Sequence, residues 1–185
     1  MNEVFPKHLT HKYKYYLFLI KACIFILLIQ TNNAYSLNKD AKEPLEIFAD
    51  SVMIDDTKGL STFSGDAVIT QGSLLLKANL IELYTDEKEV TKAVAKGSNS
   101  VLAYYKQNQS SQPRFVEATA ITITYSLKKQ FIYLTGKANL IQGFDSFSAG
   151  TLEYDIENDK VIAQKSEQKD DSEEPVRRVH FKINF

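Results

Sequence analysis

The chain has little of what most reaction chemistry needs. Among 185 residues there is one cysteine, Cys23, and there are three histidines, of which only His180 lies beyond the first 36 positions. From residue 37 onward, clustered His/Cys zinc sites and Cys–His dyads are therefore excluded. A Ser–His–Asp triad would have to use His180. That residue stands on the polar side of an alternating strand, among Arg177, Arg178 and Lys182, where a surface imidazole is the simpler reading. The seven glycines form no phosphate-cradling loop. Carboxylates are plentiful, but Asp55, Asp56, Asp86 and Glu87 fall in turns, and Asp170, Asp171, Glu173 and Glu174 in an acidic run. Those positions suit solvated surface better than a glycosidase pair. No catalytic residue, metal ligand or cofactor site is assigned. The expected protein is not an enzyme.

Residues 1–36 read as an address. Lys7, Lys12 and Lys14 give a positive start, an apolar run from Tyr15 to Ile29 follows, and Ala34-Tyr35-Ser36 makes a small-x-small cleavage pattern. Lys21 splits the apolar run into pieces too short to span a bilayer core of roughly 30 Å, which favours a cleaved signal peptide over a retained anchor. Cys23 makes a poor lipoprotein box, because the apolar run continues past it. Cleavage takes four lysines and one acid from 22 basic and 23 acidic residues, leaving 18 and 22 and a net charge of −4. Residues 37–185 are enough for one domain. They hold no basic tract interleaved with aromatics, so no nucleic-acid partner is expected.

What is present is a repeat. An alanine followed by apolar residues three and five positions later occurs as Ala49-Val52-Ile54, Ala78-Ile81-Leu83, Ala118-Ile121-Ile123 and Ala149-Leu152-Tyr154, at intervals of 29, 40 and 31 residues. Residues two apart share one face of a strand, and a strand unit that returns periodically marks a stacked β architecture. Charged turns close each unit: Asp55 to Gly59, Thr85 to Lys88, Leu127 to Gln130 and Glu157 to Lys160. Three units then share a glycine, Gly65, Gly97 or Gly136, at a common phase that predicts a bend. The first and third units superpose with a constant shift of 71 from Phe63 to Gly72 onto Leu134 to Gly143. Gln107 to Pro113 reads as a surface loop, Lys165 to Pro175 as a charged, mobile stretch, and Val179 to Phe185 as a last alternating strand.

Aligned phases predict one inward set: Leu45, Ile47, Val52, Ile54, Phe63, Ile69, Leu74, Leu76, Ile81, Leu83, Ile121, Ile123, Tyr125, Ile132, Leu134, Leu140, Leu152 and Tyr154. A filled sandwich core and a lipid-lined groove both satisfy this pattern. The predicted class is all-β, built from repeated antiparallel hairpins, with no helix longer than about two turns between residues 50 and 160.

Two segments carry a resemblance. Phe63-Ser64-Gly65-Asp66-Ala67-Val68-Ile69-Thr70-Gln71-Gly72, preceded by Pro44 to Asp50, and Tyr125 with Phe131 to Leu140, resemble the OstA-like (LptA) family of periplasmic lipopolysaccharide-transport proteins over roughly residues 44 to 164. The resemblance implies an open V-shaped β-jelly roll whose apolar interior holds the acyl chains of lipid A. It implies head-to-tail copies of the chain between an LptC-like inner-membrane partner and an LptD-like outer-membrane partner. Leu45, Ile47, Tyr125 and Leu127 match lipid-contacting places by that resemblance. An LptC-like anchored component of the same pathway is the alternative reading. A carbohydrate-active jelly-roll enzyme and a structural β-solenoid with a fully packed interior are rivals from other classes.

Overall fold

The computed structural model describes residues 39–109, 114–165 and 178–183. The segment read as a signal peptide, and most of the charged run before Val176, lie outside the described residues.

Among the described residues twelve strands follow in chain order: β1 (Glu46–Phe48), β2 (Ser51–Asp55), β3 (Leu60–Gln71), β4 (Leu74–Asp86), β5 (Glu89–Lys96), β6 (Ala103–Asn108), β7 (Phe115–Ala120), β8 (Thr122–Ser126), β9 (Phe131–Gln142), β10 (Asp145–Asp155), β11 (Lys160–Gln164) and β12 (His180–Lys182). Among the described residues the only helical element is the 3-10 turn Lys39–Lys42. The all-β expectation therefore holds. The charged turns fall where they were placed, with left-handed backbone at Gly59, Glu87, Lys88, Gln130 and Asp159. Each turn also bonds to the unit beside it: the Thr85 amide at the end of β4 donates to Gly59, Leu127 to Thr91 in β5 and Ile156 to Gln130, at 2.7–3.0 Å. Each repeat unit is thereby stacked on the next.

Every pairing is antiparallel, and the long strands serve two layers. The first layer runs β2, the first half of β3, the second half of β4, β5, β8, the first half of β9, the second half of β10, then β11. The second runs β1, the rest of β3, the start of β4, β6, β7, the end of β9, the start of β10, then β12. The molecule is one sheet folded along a crease. Where β5 gives way to β6, and β7 to β8, the crossing strand is interrupted. Pairing therefore closes a six-strand ring through β4, β5, β8, β9, β7 and β6. That ring surrounds the crease, while β1 and β2 at one end and β11 and β12 at the other have, among the described residues, a strand on one side only.

The crease explains both recurring small residues. At Gly65-Asp66 and at Gly136-Lys137 two successive residues take positive φ, 81° and 42° in one case, 75° and 52° in the other. The register slips there, between Ser64 and Ala67 on β3 and between Ala149 and Thr151 on the β9–β10 ladder. These are bulges that turn each strand from one layer into the other. A side chain at Gly65 would meet Asp50 Oδ2 at 2.2 Å, and one at Gly136 would meet Ile121 Cδ1 at 2.8 Å. Gly97 differs. It shows no left-handed backbone, and its constraint is space, since a Cβ there would meet Ala103 N and Val101 O at 2.4 Å in the β5–β6 loop. Alanines face one another beside the crease as Ala67–Ala78, Ala103–Ala120 and Ala138–Ala149. All six are buried; where two layers converge, a methyl group is what fits. The shift of 71 carries the first of these pairs onto the third, so the internal repeat extends to the strand register.

Two local readings need correction. The third unit is Ala120-Ile123-Tyr125, not Ala118-Ile121-Ile123: Ala120, Ile123 and Tyr125 are buried as Ala78, Ile81 and Leu83 are. Ile121 sits on the crease, its amide bonded to the Gly136 carbonyl at 2.8 Å and its side chain covering that glycine. Simple alternation fails here because the fold consumes two residues between inward positions. Gln107 is likewise no loop residue; it lies in β6 and is buried.

Candidate binding interior

The space between the layers holds one apolar cluster. Ile69, Leu74, Leu76 and Leu140 enter it from the second layer, and Ile81, Leu83, Ile123, Tyr125, Ile132, Leu134, Leu152 and Tyr154 from the first. Ile47, Phe63 and Leu127 pack at its margin, half-buried. Leu45, Val52 and Ile54 do not join it: they are exposed, the last two at 57% and 63%. Phe48 beside them is also exposed, as are Val179, Phe181 and Ile183 at the opposite end of the folded sheet. Apolar side chains therefore continue from a packed middle to uncovered surface at both ends.

Sequence reasoning missed Tyr105 and Val116, both buried. Their rows, Ala103-Tyr105-Gln107 on β6 and Val116-Ala118-Ala120 on β7, alternate correctly but flank the interruption in the second unit. Tyr105 reaches across the interior to Tyr125, ring centroids 5.7 Å apart in an edge-on arrangement. The two layers are in contact at that point.

Polar groups gather at the tips of the layers, opposite the crease. The Tyr105 hydroxyl donates to Gln107 Oε1 at 2.5 Å, and Gln107 Nε2 donates to Asp40 Oδ2 at 2.8 Å. Asp40 also accepts from the Ser73 amide and hydroxyl at 3.0 and 2.6 Å, tying the Lys39–Lys42 turn to the β3–β4 hairpin. Burial opposes ionisation of Asp40, but the bonds from Ser73 and Gln107 outweigh it and hold its pKa below the usual value. A second network joins Tyr154, Gln142, Gln109, Arg114 and Asp159. Gln142 extends the inward row Ala138-Leu140, which was the signal for it in the sequence. Burial raises the pKa of Tyr105 far upward, that of Tyr125 to about 12, and that of Tyr154 also upward, with help from the Asp159 carboxylate. All three phenols are neutral at physiological pH.

Among the described residues no three His, Cys, Asp or Glu side chains form a group able to hold a metal, and none of their helices is long and apolar enough to cross a membrane. His180 is exposed on β12, paired with Ser148.

Fold and interior together define a folded-sheet β protein whose physical resource is sheltered apolar surface. Comparison with known families places it more closely. Residues 46–160 match the family described as LptA/(LptD N-terminal domain) LPS transport protein. The chain belongs to that family. It is 31% identical over 136 residues to the lipopolysaccharide export system protein LptH of Pseudomonas aeruginosa, covering 72% of this chain and 75% of the relative. It is 28% identical over 137 residues to the lipopolysaccharide export system protein LptA of Escherichia coli K12, covering 74% and 73%. Among solved structures, LptH of Pseudomonas aeruginosa, described as the LptA-homologous periplasmic component of the conserved lipopolysaccharide transport device, superposes with a TM-score of 0.69. That match has 27% identity and covers 80% of this chain and 99% of that one.

Proposed function

We propose that this chain is a periplasmic, non-enzymatic carrier that shelters the lipid A acyl chains of lipopolysaccharide as one span of a bridge from inner to outer membrane. The family match over residues 46–160 carries this reading. The interior supplies its physics. Each methylene withheld from water is worth roughly 0.8 kcal/mol, so one acyl chain of a dozen carbons exposed in the periplasm costs on the order of 10 kcal/mol. An apolar interior removes that cost without making or breaking a bond. In the loaded form the sheet opens into a V, with Ile47, Tyr125, Leu127 and the buried members of the inward set against the acyl chains, and with Leu45, Val52 and Ile54 carrying the apolar row on to the joint. Residues 1–36 direct export and are cleaved. Copies of the chain join head to tail through the strand edges at the two ends, between an LptC-like and an LptD-like partner. Among the described residues those edges have a strand on one side only and expose apolar side chains, which is what strand addition uses.

Photo-crosslinking tests the reading. Crosslinkers at Ile47, Tyr125 or Leu134 capture lipopolysaccharide, whereas crosslinkers at Lys58 or Lys160, in turns, do not. Equal capture at both sets would mean a sticky surface and would remove the carrier reading.

A further inference from the structure

Among the described residues the two layers meet in mid-interior, and an ion pair and hydrogen bonds join their tips. In the middle of the molecule the layers touch through Tyr105 and Tyr125. An acyl chain needs van der Waals separation of about 3.5–4.0 Å from its neighbours on each side, and two rings in contact leave none. Acyl chains enter only after the layers part. β3, β4, β9 and β10 run unbroken through the crease and join the layers there, so the crease serves as the hinge. Parting has to happen at the tips.

One cluster spans the tips there. Asp159 stands in the β10–β11 turn, at the tip of the first layer, with left-handed backbone (φ 55°). Arg114 and Gln109 stand at the β6–β7 end of the second layer, where the Gln109 amide bonds the Arg114 carbonyl at 2.9 Å. Arg114 forms an ion pair with Asp159, and its Nε donates to Gln109 Oε1 at 2.6 Å. Asp159 also accepts from the Tyr154 hydroxyl at 3.0 Å, from Gln109 at 3.3 Å and from Gln142. Gln142 Nε2 donates to the Tyr154 hydroxyl as well, at 3.1 Å, as does Gln109. One carboxylate thus gathers donors from both layers, 45 to 50 residues apart in the chain for the Gln109 and Arg114 contacts. The ion pair lies at the surface, about a third exposed on each side, where water can replace it. Of the bonds beneath it, that from Gln142 to the Tyr154 hydroxyl is buried, and those from Tyr154 and Gln142 to Asp159 are partly so. This is the arrangement of a fastener: exposed enough to exchange its partners for water, and placed where release lets the apolar layers separate.

We propose that the Arg114–Asp159 pair, with Gln109, Gln142 and Tyr154, is a clasp that holds the layers closed and must open for acyl chains to enter. The proposal rests on the carrier reading for its ligand. Its geometry is tested separately.

Two measurements on the full chain decide it. Spin labels at Asn108 and Glu157, both exposed tip positions, report the separation of the layers without any lipid. Stopped-flow mixing with fluorescent, purified lipopolysaccharide reports loading. Asp159→Asn broadens the label separation toward longer distances and loads roughly fivefold faster, the population shift suited to losing a partly exposed ion pair. Asp159→Glu, which keeps a carboxylate to pair with Arg114 and to accept from Tyr154, Gln109 and Gln142, keeps the short distance and the slower loading, which separates loss of the clasp from general loosening. An unchanged distance in Asp159→Asn overturns the clasp. So does a longer distance with unchanged loading, or an Asp159→Glu variant that opens as far as Asp159→Asn. If wild type and variant both fail to load while the distance responds, the carrier reading has failed and the entry role falls with it.

Discussion

Val52 and Ile54 follow Ala49 at the same phase at which Ile81 and Leu83 follow Ala78. In the second unit the two side chains are 0% and 6% exposed; in the first they stand at 57% and 63%. Local pattern, strand geometry and alanine spacing are shared. What differs is cover. β4 has strands on both sides and a second layer opposite, supplied by β6 and β7 from much later in the chain. Among the described residues β2 pairs with β3 alone, and the neighbouring β1 is three residues long. Periodicity therefore determines which way a side chain faces, and only long-range assembly determines whether anything lies over it.

Truncation should break the two regions apart most clearly. Ile81→Ala leaves a cavity in a packed interior and is expected to cost about 2–5 kcal/mol. Ile54→Ala removes surface that is already wet and is expected to change stability by less than about 0.5 kcal/mol. Urea unfolding of the two variants checks this. Equal losses would mean that the first unit is covered in solution and that the contrast is false.

The legible and illegible parts of the fold divide along the same line. Gly65 and Gly136 announced the bends because the need for left-handed backbone leaves a mark on a single position. The 71-residue shift foretold paired registers because a repeated sequence repeats its ladder. The interruption between β5 and β6 disguised Tyr105 and moved the third unit by two residues, since alternation is counted along a continuous strand and the crease resets it. Arg114 and Asp159 were invisible as partners. Each is an ordinary turn residue, and nothing local tells a turn at one tip that another faces it. The apolar rows were readable, the fit between layers was not.

The two bulges test the contrast at the level of single glycines. Gly136 lies under Ile121, in the middle of the sheet, while Gly65 lies under Asp50, an exposed carboxylate that can swing into water. Both backbones have positive φ, so alanine is strained at either. Gly136→Val and Gly65→Val are each expected to cost about 1–3 kcal/mol, because a Cβ at Gly65 also meets Asp50 Cβ at 2.6 Å, a contact that rotating the carboxylate does not relieve. Thermal unfolding measures both. A Gly136 variant as stable as wild type would show that the bend does not depend on that backbone conformation.

Alkaline pH should act on the middle and leave the edge alone. Burial lifts Tyr125 from its usual 10.0 to about 12, and Tyr105 and Tyr154 are raised too. Since the folded form holds these protons more tightly, the stability that the neutral phenols contribute is complete below pH 10 and is lost as pH rises toward 12 and beyond. Tyr125→Phe removes one of these protons and is expected to lessen the alkaline loss between those values. Denaturant midpoints measured across that range check it, and an unchanged slope would place the Tyr125 hydroxyl in water.

The smallest stability effect belongs to the uncovered end, and it is the one that says what the exposure is for. Val52→Ser with Ile54→Ser replaces two apolar groups that touch mainly solvent, so each change is expected to stay within about 0.5 kcal/mol of wild type. Strand pairing with β3 is made by the backbone and survives the exchange. An exposed apolar row on an unpaired edge is costly for a chain that works alone, because it invites association. If that association is the head-to-tail joint, the double variant keeps its unfolding midpoint, and light scattering shows that its concentration-dependent growth in size is lost. A Phe181→Pro variant, which blocks the β12 edge at the other end, should then give the same result. A double serine variant that still elongates would separate the exposed row from assembly, and the contrast between the covered and uncovered units would have to be explained by lipid passing over that end instead.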